Sequence, residues 1–206
     1  MNEITFHYID DDLLVAEKPA GLLSVPGRSV ENRDCVVSRL QREYPDVLTV
    51  HRLDQVTSGL MLYARSKPMQ AALSMQFEQR RVGKGYEALV EGLLADDVGE
   101  ITLPLICDWP NRPKQKVDFE LGKPALTRWQ VLSRDAATRR TRVALQPLTG
   151  RSHQLRLHLA SIGHPIVGDV MYGAQPAPRV CLHACALQFS HPRTGQALTF
   201  VSPCPF

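Results

Sequence analysis

The chain has 206 residues, 44% of them hydrophobic and 22% charged, which suits a globular domain with one sizeable core and excludes a disordered or fibrous chain. No apolar run approaches the ~20 residues of a membrane span, and the acidic start MNEITFHYIDDD lacks the basic n-region of a signal peptide. The formal net charge is only +3, but residues 1–17 hold five acids and no Lys or Arg, whereas residues 123–160 hold eight bases and one acid. Such polarity fits a polyanionic partner, or strand residues that solvate the outer face of a sheet, and charge alone leaves both open. Five cysteines, odd in number and irregularly spaced, read as reduced thiols of a cytosolic protein.

In chain order, ITFHYI and LLVAEKP read as two short strands around an acidic turn. Asp34 is placed to cap a helix through CVVSRLQREY, which Pro45 follows. DVLTV and LMLYAR are strand-like, so HRLDQVTSG becomes the connection between them. Ser66 can cap a second helix with Pro68 in its first turn and Met69, Leu73 and Phe77 on one face. GYEALVEGLL alternates so that Tyr86, Ala88 and Val90 share a side. ICDWPNRPKQK is a basic loop or β-excursion, and LTRWQVLSR and TRVALQPL pair as a hairpin. Thr149 to Ser152 lead into a helix over HQLRLHLASIG, HPIVGD turns, and VCLHACALQF and ALTFVSP close the chain as strands. Many antiparallel-looking strands with a few helices predict an α+β fold as a single domain over residues 1–206.

Candidate chemistry starts at Asp54 in VHRLDQVTSGL. Alone it is either a turn former or a carboxylate presented for reaction. Arg151 opens a helix after a Gly turn, and Tyr86 sits on the inward side of a strand. An Arg beside a buried carboxylate would hold its orientation, as suits a nucleophile; an ordinary Arg–Asp bridge with Tyr86 in the core is the other reading. Cys181, His183 and Cys185 share one strand face, but no second ligand pair stands at metal spacing, so no metal is expected.

HRLDQVTSGL, KGYEALVEG and LTGRSHQLRLH, in this order and spacing, resemble the three signature blocks of the RluA-type pseudouridine synthases. The resemblance covers essentially the whole chain. LPLICDWPNRPKQKV and GKPALT are similar to the branch that acts on both 23S rRNA and tRNA, which lacks the N-terminal S4 RNA-binding domain of many relatives. Here too the first strand begins almost at residue 1, with no S4 domain expected.

The resemblance implies an α+β catalytic domain, a largely antiparallel mixed sheet flanked by helices and loops. It implies an isomerase that breaks the N1–C1′ bond of uridine in RNA and rejoins C5 to C1′. By resemblance Asp54 is the nucleophile, Tyr86 packs on the uracil and is available to help remove the C5 proton, and Arg151 pairs with Asp54. Attack at C1′, attack at C6 and stabilisation of a charged sugar all stay open. No redox change or external group enters, so no cofactor is expected. The implied partners are a tRNA anticodon stem-loop, at uridine 32, and a 23S rRNA hairpin, at uridine 746. No membrane or required protein partner is expected, and the implied location is the cytoplasm.

The target base must leave its stack, at a cost on the order of a few kcal/mol. Arg52 is placed either to enter the vacated stack or to touch a phosphate. Arg112, Lys114 and Lys116, with the basic 123–160 stretch and Arg156 within it, would follow the RNA backbone, and His51 is a scaffold or RNA-contact residue. Lys84 fits the motif without a stated role. The competing readings are a synthase for another rRNA loop, an RNA-binding or chaperone module without turnover, and a hydrolase using Asp54 with His51.

Overall fold

The computed structural model describes residues 4–27, 29 and 32–206 of the chain. Its elements divide into two compact units, one of residues 1–84 and 184–205, the other of residues 85–183 with Phe206. The division falls inside two strands, β5 (Gly83–Glu91) and β11 (Leu182–Ser190). The architecture is α+β. Among the described residues, no helix is long and apolar enough to cross a membrane.

The first unit is built on β-branched and leucine-rich runs. Strand β1 (Thr5–Ile9) pairs antiparallel with β2 (Leu13–Lys18), and β2 pairs antiparallel with β4 (Ser58–Ala64) in a register running from Leu13 opposite Ala64 to Lys18 opposite Gly59. The two-residue β3 (Leu48–Thr49) pairs with the end of β4, and β12 (Ala197–Val201) pairs with β11. Leu13, Val15, Leu60, Leu62 and Ala64 pack with Met69 and Leu73 of helix α2 (Lys67–Glu78). Their alternates Leu14, Ala16, Met61 and Tyr63 are fully buried as well, so β2 and β4 have no solvated face. Ser66 caps α2 as expected, its hydroxyl accepting from the Met69 N–H at 3.3 Å.

Two local expectations change here. Helix α1 spans only Val36–Leu40, and its cap is Cys35, not Asp34. Cys35 Sγ accepts from the Ser38 N–H at 3.4 Å, and Ser38 Oγ accepts from the Cys35 N–H at 3.1 Å. Asp34 is taken instead by Arg39, which donates to its two oxygens at 2.8 and 2.6 Å.

The second unit orders its antiparallel strands as β5, β10 (Arg140–Pro147), β9 (Leu126–Asp135) and β6 (Val98–Thr102). Strand β6 escapes sequence reading because VGEIT buries only Ile101. A short hairpin of β7 (Leu105–Cys107) and β8 (Gln115–Val117) forms a separate ribbon, and helix α3 covers Gln154–Ser161. On α3 the buried His158 bridges Thr127 Oγ1 at 2.9 Å and the Leu103 carbonyl at 3.1 Å.

Gly59 is the tightest point of the first unit. Its φ is +119°, and a Cβ there would overlap the Ala184 backbone of β11. Gly59→Ala is therefore expected to lower the free energy of urea unfolding by roughly 3 kcal/mol or more, through strain and overpacking together. An unchanged urea midpoint would contradict that close approach.

Candidate active site and its supports

Asp54 lies in an irregular connection of the first unit, and that connection is clamped on both sides of it. Ser24 Oγ donates to the Leu53 carbonyl at 2.7 Å and accepts from the Leu53 N–H at 3.1 Å. On the far side, the Gln55 carbonyl accepts from Lys18 Nζ at 2.9 Å and from the Gly21 N–H at 2.8 Å. Gln55 Nε2 returns a bond to the Gly21 carbonyl at 3.0 Å, and the Thr57 N–H closes a turn on the Asp54 carbonyl at 3.1 Å. Lys18 is fully buried, and its ammonium also donates to the carbonyls of Pro19 at 2.9 Å and Leu22 at 2.6 Å. Leu53 points inward, Arg52 is exposed, and Asp54 is half-buried. The backbone around the carboxylate is fixed while its neighbour Arg52 reaches solvent.

His51 acts as scaffold here. Its Nε2 accepts from the Leu62 N–H at 3.0 Å, and its ring stacks on Phe77 at 4.5 Å between centroids. Burial, reinforced by the charge of Lys84, pushes its pKa down to about 3. A neutral ring whose Nε2 lone pair is already used offers RNA no cation and Asp54 no base from that nitrogen. Lys84 itself is half-buried, and burial, with Arg80 adding to it, lowers its pKa.

Tyr86 and Arg151 belong to the second unit. Tyr86 is half-buried near the start of β5, opposite Leu145 of β10, and Ala88 and Val90 beyond it are buried as the alternation predicts. Arg151 follows the end of β10 by four residues. Gln154 pins it by accepting from its N–H at 3.0 Å and donating its own N–H to the Arg151 carbonyl at 3.1 Å. The Arg151 guanidinium donates through Nε to the Pro124 carbonyl at 3.1 Å. His153 enters α3 in the left-handed region at φ 51°, and its Nδ1 meets the Tyr172 hydroxyl at 2.8 Å. That hydroxyl accepts from the Gln115 N–H of β8 at 2.9 Å, so Tyr172 ties the ribbon to the Arg151 turn.

Four of the eight bases of the 123–160 stretch pair with acids inside their own unit. Arg128 pairs with Glu100 across β9 and β6, Arg134 with Asp97 at 2.8 Å, and Arg142 with Glu87 at 3.4 Å. Arg156 overturns its expected role as an RNA contact. It is buried and forms a two-pronged bond with the equally buried Asp169 at 2.7 and 2.8 Å. Arg112, Lys114 and Lys116 lie on or beside the ribbon, with Arg112 and Lys116 exposed. The Cys181, His183 and Cys185 stretch enters β11 with the first two buried and Cys185 half-buried. Lys18 and Ser24 were missed as supports, although a lysine ending an apolar strand run in LLVAEKP is itself a signal that its charge needs a partner.

Comparison with known proteins bears on what this arrangement does. The sequence profile described as RNA pseudouridylate synthase matches residues 12–161. The chain is 52% identical over 203 residues to the dual-specificity RNA pseudouridine synthase RluA of Vibrio cholerae serotype O1, covering 97% of this chain and 82% of that protein. It is 49% identical over 203 residues to the protein of the same name from Escherichia coli strain K12, covering 97% and 92%. Among solved structures, human RNA pseudouridylate synthase domain containing 1 superposes with a TM-score of 0.82 at 28% identity, over 99% of this chain and 84% of that one. Human RNA pseudouridylate synthase domain containing 4 shares the fold, with a TM-score of 0.77 at 24% identity over 97% and 88%.

Removing one partner of a buried pair leaves the other charge desolvated. Arg156→Met is therefore expected to cost about 3–5 kcal/mol in urea unfolding. The slope of log Kd for RNA against log salt should stay at the wild-type value, because no phosphate contact is lost. Wild-type stability with a shallower salt slope would restore Arg156 to the RNA surface.

Proposed function

The chain belongs to the RNA pseudouridylate synthase family, isomerases of uridine in RNA, and from that premise we propose that it modifies two RNAs. One is a tRNA anticodon stem-loop, at uridine 32, and the other a 23S rRNA hairpin, at uridine 746, both met in the cytoplasm. The relatives named dual-specificity, at about half identity over nearly the whole chain, support this reading.

In the proposed reaction Asp54 is the nucleophile, Tyr86 packs against the uracil, and Arg151 orients the Asp54 carboxylate. The N1–C1′ bond breaks, the uracil turns, C5 bonds to C1′, and the C5 hydrogen leaves as a proton while N1 gains one. Substrate and product are isomers, so the balance calls for no oxidant and no donor group. Arg52 occupies the place of the target base in the stack, where a planar guanidinium replaces lost base contacts. The single observation that carries the assignment is the clamp on Asp54: Ser24 holds the residue before it and Lys18 the residue after it. A turn aspartate with only a solvation role needs no such support, whereas a reacting carboxylate gains directly from a fixed position.

Release of tritium from C5-labelled uridine in each of the two hairpins tests the assignment. Wild-type protein should release label from both, and Asp54→Ala from neither while still binding them. Unchanged release by Asp54→Ala would remove it from the chemistry, and release from one RNA alone would remove the dual specificity.

A further inference from the structure

The ribbon of β7 and β8 carries more than phosphate-seeking lysines. Residues 108–114 between its strands close on themselves: Asp108 N–H donates to the Lys114 carbonyl at 3.0 Å, Asn111 N–H to the Asp108 carbonyl at 2.9 Å, and Lys114 N–H to the Asn111 carbonyl at 3.0 Å. Asn111 Nδ2 adds a bond to the Asp108 carboxylate at 2.9 Å. On this closed loop the Trp109 indole is 64% exposed, and the Arg112 guanidinium lies over it at 3.9 Å from the ring centroid. The base of the ribbon is anchored, with Leu105 and Val117 packed against Ala125, Leu157 and Tyr172. The indole is thus displayed on a fixed mount rather than folded inward.

Two further large apolar side chains, Phe119 (78% exposed) and Leu121 (73% exposed), stand on the turn after β8. That turn is built by Asp118, which accepts from the N–H groups of Glu120 at 3.1 Å and Leu121 at 2.9 Å and pairs with Lys116 at 3.2 Å. Asp108 and Asp118 therefore spend their oxygens on the ribbon itself. Besides those two, the stretch 108–123 carries one other acid, Glu120, against the four bases Arg112, Lys114, Lys116 and Lys123. An apolar protein partner would be served by the aromatic surface without a cation stacked on it. An indole with a guanidinium over its ring, among cations, suits a flat π-system that carries phosphate.

We propose that Trp109 and Arg112 form a stacking platform for one unpaired nucleobase of the RNA substrate. This rests on the reading of the chain as an enzyme of RNA loops, and it turns Arg112 from a phosphate contact into part of a base contact. The platform lies on the element that Tyr172 ties to the Arg151 turn, so a base seated on it would set the register of the loop being modified.

The chain's two tryptophans make the test direct, because Trp129 is buried and Trp109 is exposed. A short RNA hairpin with a uridine-containing loop should quench the exposed indole and shield it from iodide, and a blunt duplex of the same stem should not. Trp109→Ala should weaken hairpin binding roughly 5- to 100-fold, the range expected for one lost base–aromatic stack, with the loss falling on KM. Trp109→Phe should recover most of it, and the salt slope should be unchanged for both. Equal binding by Trp109→Ala, or equal quenching by the duplex, would overturn the proposal. So would shielding of the indole at high protein concentration without RNA, which would assign the patch to a protein contact. Hairpin quenching without tritium release by wild-type protein would overturn the enzymatic reading alone, whereas turnover without any effect of Trp109 would overturn the platform alone.

Discussion

A buried ammonium holds the candidate active site in place. Placing a lysine head group out of contact with water costs several kcal/mol unless oxygen atoms replace its hydration, and Lys18 gathers the carbonyls of Pro19, Leu22 and Gln55. Two of those carbonyls belong to the segment leaving β2, and the third belongs to the residue after Asp54. The same cation therefore welds the end of β2 to the Asp54 connection. Gly59 stands opposite Lys18 in the β2–β4 register, and its missing side chain lets β11 come close at Ala184. The apolar core that surrounds these strands makes such an arrangement costly to open, because each carbonyl would lose a charged donor without gaining water.

From that constraint the division of labour in HRLDQVTSG follows. Inward residues hold: His51 on Leu62 and Phe77, and Leu53 on Ser24. Outward residues face solvent: Arg52 is exposed and Asp54 half-buried. A connection between strands is ordinarily the mobile part of a fold. Here hydrogen bonds to Leu53, Asp54 and Gln55 in succession give it the order of a regular element. A side chain on such a connection is held in position before any ligand arrives, which is what preorganisation requires.

Much of this was readable from short-range pattern. The Ser66 cap, the Met69–Leu73 face of α2 and the alternation around Tyr86 are local, and each stands where its pattern placed it. What escaped the sequence was long-range pairing. Arg128, Arg134, Arg142 and Arg156 pair with Glu100, Asp97, Glu87 and Asp169, acids too distant in the chain for a local pattern to connect. Asp34 was the better cap by residue type, but Arg39 competes for its carboxylate and leaves the cap to Cys35. Trp109 gave no sign in its pattern, since exposure of a single aromatic in a Pro-rich loop is decided by how that loop closes.

If Lys18 positions Asp54 through the backbone, its loss should slow turnover without weakening RNA binding. That effect is tested most directly by the single-turnover rate of tritium release in a Lys18→Met variant with native circular dichroism, measured beside its RNA affinity. The rate should fall by roughly 100-fold, the scale of a small misplacement of a reacting group, with hairpin Kd unchanged. A wild-type rate in the folded variant would contradict it.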